Sequence, residues 1–175
     1  MNAAVAVWAR DWSASLAEIA DRAAVSRSTL HRYFPDRRSL VDAARDRALG
    51  ALEESAARGR PTPSSGASAA DELEALMRGM TEVAEAVIFL FADPARFAEV
   101  WEADADDHAE LRAMIARAQD EGSIDPDVHT DWAIGVYYSL IYIAAEAITA
   151  GTMAHHQAAD VSVRTFFSGV GMRGR

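Results

Sequence analysis

Apolar residues recur at helical spacing along most of the chain. Between Leu16 and Ala23 they fall at i, i+3, i+4 and i+7, the spacing of a helical stripe that faces a core. No segment alternates with the period of two that predicts a half-buried strand. The pattern therefore predicts an all-α protein of about nine helices. The predicted spans are residues 2–11, 16–22, 27–33, 37–58, 69–92, a short helix from 94, 104–121, 126–150 and 153–170.

Residues 16–40 hold two short predicted helices joined by a tight turn. Ser26 is a good N-cap for the second helix, Arg27–Tyr33, and Pro35 ends it because proline cannot donate a backbone hydrogen bond. Leu30 is the apolar residue of that helix, so the polar side chains around it face outward. The segment is a helix-turn-helix whose second helix carries side chains suited to a DNA groove.

The run I-A-D-R-A-A-V-S-R-S-T-L-H-R-Y-F resembles the DNA-binding domain of the TetR (tetracycline-repressor-like) family. There, I-A-x-x-A-G-V-S precedes a helix of the type R/K-x-T-L-Y-x-x-F. The resemblance implies an N-terminal three-helix DNA-binding domain over residues 1–47 and a C-terminal helical ligand-binding and dimerisation domain over residues 48–175. Ala24 replaces the usual turn glycine and His31 the usual tyrosine. If residue 24 has a positive φ, alanine there costs about 1 kcal/mol.

The net charge of −10 argues at first against a DNA-binding protein, but the charge is unevenly distributed. Residues 1–60 hold ten arginines against eight acids, a net charge of +2, whereas residues 61–175 hold seven arginines against nineteen acids, a net charge of −12. Within Arg22–Arg38 there are five arginines and one aspartate. The basic charge thus sits on the predicted DNA-binding segment, and the acidic remainder would orient that segment toward DNA.

Side chains on and just after the second motif helix are the candidates for DNA contact. Arg37 and Arg38 lie in the first turn of the next helix, where the helix dipole disfavours cations unless a phosphate lies nearby; a solvated surface is the alternative. We expect three base contacts, from Ser28, Thr29 and Arg32. We expect phosphate contacts from Arg27, His31, Tyr33 and Arg37 or Arg38.

Trp132–Ala150 contains nineteen residues with a single charge, Glu146. Its length is near the minimum for a membrane span, but no arginine flanks it closely. A helix that is apolar on all sides in a water-soluble protein is buried on all sides. Among a dimer interface, a monomeric core helix and a membrane span, we favour the dimer interface. We expect Glu146 to pair with Arg164, either within one subunit or across two. In the resembled family the last two helices form half of an intermolecular four-helix bundle.

A second hypothesis concerns a ligand cavity in the C-terminal part. Bulky, soft or amphipathic side chains suit an adaptable apolar cavity, although at helical spacing they also suit an ordinary core. The family resemblance favours the cavity. The candidate lining residues are Met77, Met80, Phe97, Trp101, Met114, Tyr138 and Tyr142.

Other chemistry finds little support. The chain has no cysteine, which excludes disulfides and thiolate metal sites. Asp104 and His108, four residues apart, supply only two metal ligands, and no motif surrounds a candidate nucleophile. The first residues lack the pattern of a secretion signal, so we expect a cytoplasmic protein. We expect neither an enzyme nor a cofactor.

The sequence therefore predicts a ligand-responsive transcriptional regulator. We expect a repressor that binds a palindromic double-stranded operator as a homodimer and is released by a small apolar or aromatic effector, without a membrane partner. The alternative is a helical small-molecule binding or interaction module that has lost specific DNA binding. Ala24 and the acidic balance motivate that alternative.

Overall fold

The computed structural model describes residues 1–59, 66–98 and 108–171. Over these ranges the protein consists of nine α-helices and one 3-10 turn, with no β-strand, which confirms the predicted all-α class. The predicted Trp101 and the predicted helix start at Asp104 lie outside the described residues. The helices are α1 Asn2–Arg10, α2 Leu16–Arg22, α3 Arg27–Tyr33, α4 Arg37–Gly59, α5 Ala69–Glu82, α6 Ala84–Phe91, α7 Ala109–Asp120, α8 Thr130–Thr149 and α9 His155–Val170, with the 3-10 turn at Pro94–Phe97.

The buried side chains form two hydrophobic clusters. The N-terminal cluster joins α1–α3 to the start of α4, and the C-terminal cluster joins α5 and α7–α9. Helix α6 belongs to both, because Phe89 and Leu90 pack in the N-terminal cluster while Val87 and Ile88 pack in the C-terminal one. The predicted division between residues 47 and 48 falls inside α4, which continues without a break.

The single helix predicted over residues 69–92 is wrong, because the chain breaks between α5 and α6. The break lies at Val83, whose φ of −107° and ψ of 32° are not helical. The hydroxyl of Ser55 on α4 donates to the carbonyl of Gly79 at 2.6 Å, and the Val83 N–H bonds to Met80 O at 3.3 Å instead of to Gly79 O. A contact with another helix thus takes the acceptor that a continuous helix needs.

The predicted helix start at Pro126 is also wrong, since α8 begins at Thr130. Asp125 donates its N–H to the carbonyl of Val170 at 2.9 Å and lies beside the isolated bridge that pairs Ile124 with Gly171. The chain is therefore tied to the end of α9 before it can turn into a helix. His129 caps α8 instead, with Nδ1 accepting the N–H of Asp131 at 3.3 Å.

Helix α8 is long and apolar enough to cross a membrane, judged by length and composition alone, and it is the one such helix among the described residues. One side of it is buried in the C-terminal cluster, where Tyr137 donates to the carbonyl of Leu73 at 2.8 Å. The other side is open in the single chain: Trp132 is 69% exposed and Ile143 is 59% exposed. One side of α8 thus belongs to the core, and the other side is an apolar surface that the single chain leaves uncovered.

The close approach of α4 to α5 requires a residue without a side chain at position 79. A Cβ there would lie 2.9 Å from Ser55 Oγ and 3.2 Å from the Ser55 carbonyl oxygen, so α4 and α5 must separate. We expect Gly79→Ala to lower the free energy of unfolding by about 1–2 kcal/mol, despite the better helix propensity of alanine. Urea denaturation measures the change.

Gly50→Ala is the matched control, because Gly50 also lies within a helix and its added Cβ would meet no atom within 4 Å. We expect that variant to gain roughly 0.5–1 kcal/mol. Equal stabilisation by both substitutions would contradict the close approach at Gly79.

Candidate DNA-binding surface and ligand cavity

The turn between α2 and α3 closes through two backbone hydrogen bonds. The Val25 N–H donates to Ala20 O at 3.0 Å and the Ala24 N–H to Asp21 O at 3.1 Å, which is the pattern of a Schellman motif. Ala24 has a φ of 55°, the left-handed conformation that favours glycine. The positive φ considered for this position is confirmed, and alanine is strained there.

Helix α3 presents its polar side chains to solvent and buries Leu30. Ser26 caps it by accepting the Thr29 N–H at 3.0 Å, and the Ser26 hydroxyl lies 2.9 Å from that of Ser28 and 2.8 Å from that of Thr29. These three hydroxyls form a polar cluster at the start of the helix. The exposed predicted contacts are Arg27, Ser28, His31, Arg32 and Tyr33, whereas Thr29 is half-buried.

At the end of α3, the Arg32 guanidinium lies 5.2 Å from the centre of the Tyr33 ring. Tyr33 is 67% exposed, so the stacked pair stands at the surface. The ring restricts the position of a long cationic side chain that would otherwise sample many rotamers. The structure thus brings the predicted base contact Arg32 together with the predicted phosphate contact Tyr33.

Arg37 requires a correction. Its guanidinium turns inward, donating to the carbonyl of Ala14 at 2.7 Å and to the carbonyl of Trp12, and it stacks on Trp8 at 4.8 Å and on Trp12 at 5.2 Å. Its charge serves the packing of α1 and α2 on α4, so we remove Arg37 from the expected phosphate contacts. Arg38, one residue later, is exposed and keeps that expectation.

Trp12 also contacts the segment that follows α6. The Arg96 guanidinium in the 3-10 turn lies 3.8 Å from the centre of the Trp12 ring and donates to the carbonyl of Phe89 at 3.2 Å. Burial lowers the pKa of Arg96, and the nearby charge of Arg37 lowers it further, against the opposing effect of Asp93. Two guanidiniums, one from α4 and one from the 3-10 turn, thus lie against one tryptophan ring.

A cavity of about 1150 Å³ lies among α4, α5, α6, α7 and α8. Four predicted lining residues do line it, namely Met80, Met114, Tyr138 and Tyr142. Two predicted lining residues do not line it. Met77 is buried in the C-terminal cluster, and Phe97 packs 5.4 Å from Phe89, ring centre to ring centre, in the N-terminal cluster.

Sequence reasoning missed the acidic side chains of this cavity. Four glutamates line it together with His108. Glu72 is paired with Arg117 of α7, and the nearby charge of Glu146 acts on Tyr142. The predicted partner of Glu146, Arg164, forms no ion pair with it within the chain; its charge instead acts on Asp160. The glutamates are Glu53, Glu72, Glu110 and Glu146.

One signal could have identified this acidity. Tyr138, Tyr142 and Glu146 are spaced by four residues on α8, so they occupy one stripe of the helix. Burial, together with the charge of Glu146 and its hydrogen bond, raises the pKa of Tyr142. Glu146 continues this stripe and is itself exposed.

The fold and these two sites define a helix-turn-helix DNA-binding protein whose C-terminal helices enclose a cavity. The family model for bacterial regulatory proteins of the tetR family matches residues 1–44. The HTH-type transcriptional repressor LfrR of Mycolicibacterium smegmatis is 31% identical to this chain, covering 97% of it and 87% of the repressor. The chain therefore belongs to the TetR family of transcriptional regulators, and its relatives are regulators rather than enzymes.

Solved structures agree with this assignment. The crystal structure of LfrR from Mycobacterium smegmatis in complex with proflavine superposes with a TM-score of 0.73 at 26% identity, covering 98% of this chain and 94% of that one. The ketosteroid regulator KstR2 of Mycobacterium tuberculosis superposes with a TM-score of 0.77 at 16% identity, covering 98% and 93% of the two chains. At this low identity, the similarity to KstR2 shows only that the two proteins share a fold.

The strained turn yields a stability prediction. Because Ala24 has a φ of 55°, we expect Ala24→Gly to raise the free energy of unfolding by about 1 kcal/mol. Ala23→Gly is the control: Ala23 is exposed and has a φ of −81°, so glycine there should lower stability by roughly 0.5–1 kcal/mol. Denaturant titration of both variants is the test, and destabilisation by Ala24→Gly would be inconsistent with strain at the turn.

Proposed function

We propose that the protein is a cytoplasmic transcriptional repressor that binds a palindromic operator as a homodimer and releases it when a small aromatic ligand enters the cavity. The observation that carries the proposal is the exposed α3 surface, joined through α4 and α6 to a large apolar cavity. LfrR, the repressor similar to this chain, has been crystallised with the aromatic compound proflavine.

On the DNA side, we propose that Ser28, Thr29 and Arg32 contact base edges. A helix-turn-helix places the N-terminal residues of its second helix near the bases, and Arg32 has the fork geometry that suits guanine. Arg27, His31, Tyr33 and Arg38 would contact phosphates. The separate helix-turn-helix and C-terminal domains, divided near residue 47, remain part of this proposal.

A homodimer would form through α8 and α9. These two helices pack against each other, and both carry apolar side chains that the single chain leaves uncovered. Trp132 and Ile143 on α8 are joined on α9 by Val161, which is 40% exposed. Pairing this surface with its copy would bury these side chains and hold the two α3 helices about 34 Å apart, one turn of DNA.

Release would follow from linkage between the two sites. Helix α4 begins at the Arg37 stack and carries Leu49 and Leu52 into the cavity wall, and α6 gives Phe91 to the cavity and Phe89 to the N-terminal cluster. A ligand that fits only one arrangement of these helices favours that arrangement. Operator affinity then falls by the ratio of the ligand's affinities for the two states.

DNA contact can be tested by paired substitutions on a gel shift or by fluorescence anisotropy. We expect Arg32→Ala to weaken operator binding by about 1–3 kcal/mol while binding to random DNA changes little, because a base contact carries sequence information. Arg38→Ala should weaken both and reduce the slope of log affinity against log salt by about 1. Equal losses on specific and random DNA for Arg32→Ala would remove it from the base contacts.

The dimer can be tested by adding charge to the uncovered surface. We expect Val161→Arg to shift the mass in sedimentation velocity from dimer to monomer and to weaken operator binding, because a buried unpaired arginine opposes association. The control Ala57→Arg adds the same charge at an exposed position of α4 and should remain dimeric. A dimer that survives Val161→Arg would place the interface elsewhere.

One observation favours the alternative of a binding module without specific DNA recognition. Ala24 strains the turn that orients α3, so the helix-turn-helix is less stable than one with glycine. A gel shift against the region upstream of the protein's own gene distinguishes the repressor from the binding module. Specific retention supports the repressor, whereas no binding at low salt supports the module.

A further inference from the structure

We propose that Tyr33 is a positioning residue whose ring holds the guanidinium of Arg32 in the orientation that reads a guanine base. The inference rests on the proposed DNA-binding function and gives Tyr33 a second role there, beside the phosphate contact expected of its hydroxyl. Its basis is the stack at the end of α3, where Arg32 Cζ lies 5.2 Å from the centre of the Tyr33 ring.

The end of α3 that carries both side chains is anchored in the N-terminal cluster. Leu30 is buried there, and Phe34, the residue after Tyr33, packs against the same cluster. The Phe34 N–H donates to the Leu30 carbonyl at 2.9 Å and closes the last turn. The remaining freedom at this end therefore belongs to the exposed side chains, and arginine is among those with the most rotamer entropy to lose.

The Tyr33 ring is the partner of the Arg32 guanidinium among the described residues, and neither a hydrogen bond nor an ion pair to them holds it. The acid closest to Arg32 in the sequence, Asp36, is engaged at the start of α4, where its Oδ1 accepts the Ser39 N–H at 2.8 Å. A DNA base that approaches Arg32 therefore displaces no carboxylate of the described chain from its N–H groups.

Arg37 shows, within the same protein, what such a stack leaves available. Its guanidinium lies over two tryptophan rings while its N–H groups donate to the carbonyls of Ala14 and Trp12. A ring meets the face of a guanidinium, and the donors stay available because they lie in the plane of the group. Arg32 has the ring without the acceptors, and the O6 and N7 atoms of a guanine are an acceptor pair of matching geometry.

The ring should act on sequence preference more than on total DNA affinity. A bidentate contact with guanine requires one guanidinium geometry, and fixing an arginine that samples many rotamers costs affinity. A contact with phosphate on random DNA tolerates many geometries, so it gains less from a side chain that is already oriented. Tyr33 is therefore expected to raise the ratio of operator affinity to random-DNA affinity.

Two substitutions separate the ring from the hydroxyl. The probes are the duplex that the intact protein selects from a randomised library and a scrambled duplex of the same length and composition, measured by fluorescence anisotropy at one salt concentration. We expect Tyr33→Leu to lower the ratio of the two affinities by about three- to five-fold, the effect of losing a cation–π contact at an exposed site.

Tyr33→Phe is the matched control, because it keeps the ring and removes the hydroxyl. We expect it to weaken binding to both duplexes by the same factor and to leave the ratio unchanged within about two-fold. If Tyr33→Leu and Tyr33→Phe give the same ratio, Tyr33 contacts phosphate only and the proposal is overturned.

A double-mutant cycle tests whether the ring acts through Arg32. We expect Tyr33→Leu to lower the ratio in the otherwise intact protein and to leave it unchanged, within about two-fold, when Arg32→Ala is already present. A purely structural role of Tyr33 at the end of α3 would lower the ratio in both backgrounds, which would also overturn the proposal.

The same measurements keep this inference apart from the proposed function. An intact protein that selects no duplex, or an Arg32→Ala variant that keeps the full ratio, would refute the base contact on which the inference depends. A ratio that falls with Arg32→Ala but not with Tyr33→Leu would refute the role of Tyr33 alone.

Discussion

The double burial of α6 is the constraint on which the rest of the structure depends. Six of its eight residues are buried, and they fill two hydrophobic clusters on opposite sides. Phe89 packs against Trp8 at 6.3 Å between ring centres, while Ile88 packs in the C-terminal cluster. Because protein interiors are close-packed, α6 cannot shift against one cluster without disturbing the other. The helix-turn-helix and the cavity are therefore mechanically joined.

The break at Val83 gives α6 its direction. Ser55 takes the carbonyl of Gly79, and the absence of a side chain at Gly79 lets α4 approach closely enough for that bond. Just beyond the C-terminal end of α6, the guanidiniums of Arg37 and Arg96 both lie against the Trp12 indole and hold that end in place. Of the two helices that reach from the DNA-binding surface to the cavity, α4 spans the greater distance, about 34 Å for its 23 residues.

The distribution of charge favours the proposed DNA-binding surface. Arginines concentrate near α3, whereas the C-terminal helices are strongly acidic. An acidic body repels the DNA backbone and so favours approach through α3.

Features that depend on neighbouring residues could be predicted from the amino-acid sequence. Ser15 and Glu18 form the capping box of α2, with Glu18 Oε2 accepting the Ser15 N–H at 2.7 Å, and Ser26 caps α3. Gly122, with a φ of 77°, ends α7 where the sequence predicts it. The all-α class and the helix-turn-helix followed from such signals, because capping and helical periodicity act within one or two turns of chain.

Features that depend on residues far apart in the chain became visible in the folded protein. Ser55 acts on Gly79 across 24 positions, and Arg37 reaches Trp12 across 25. Met77 and Met80 are both methionines on α5, yet Met77 fills the core and Met80 lines the cavity. The two side chains point in different directions because they are separated by a rotation about the helix axis. A periodic pattern marks a side chain as inward-facing, but whether it meets atoms or an open cavity depends on how the neighbouring helices pack.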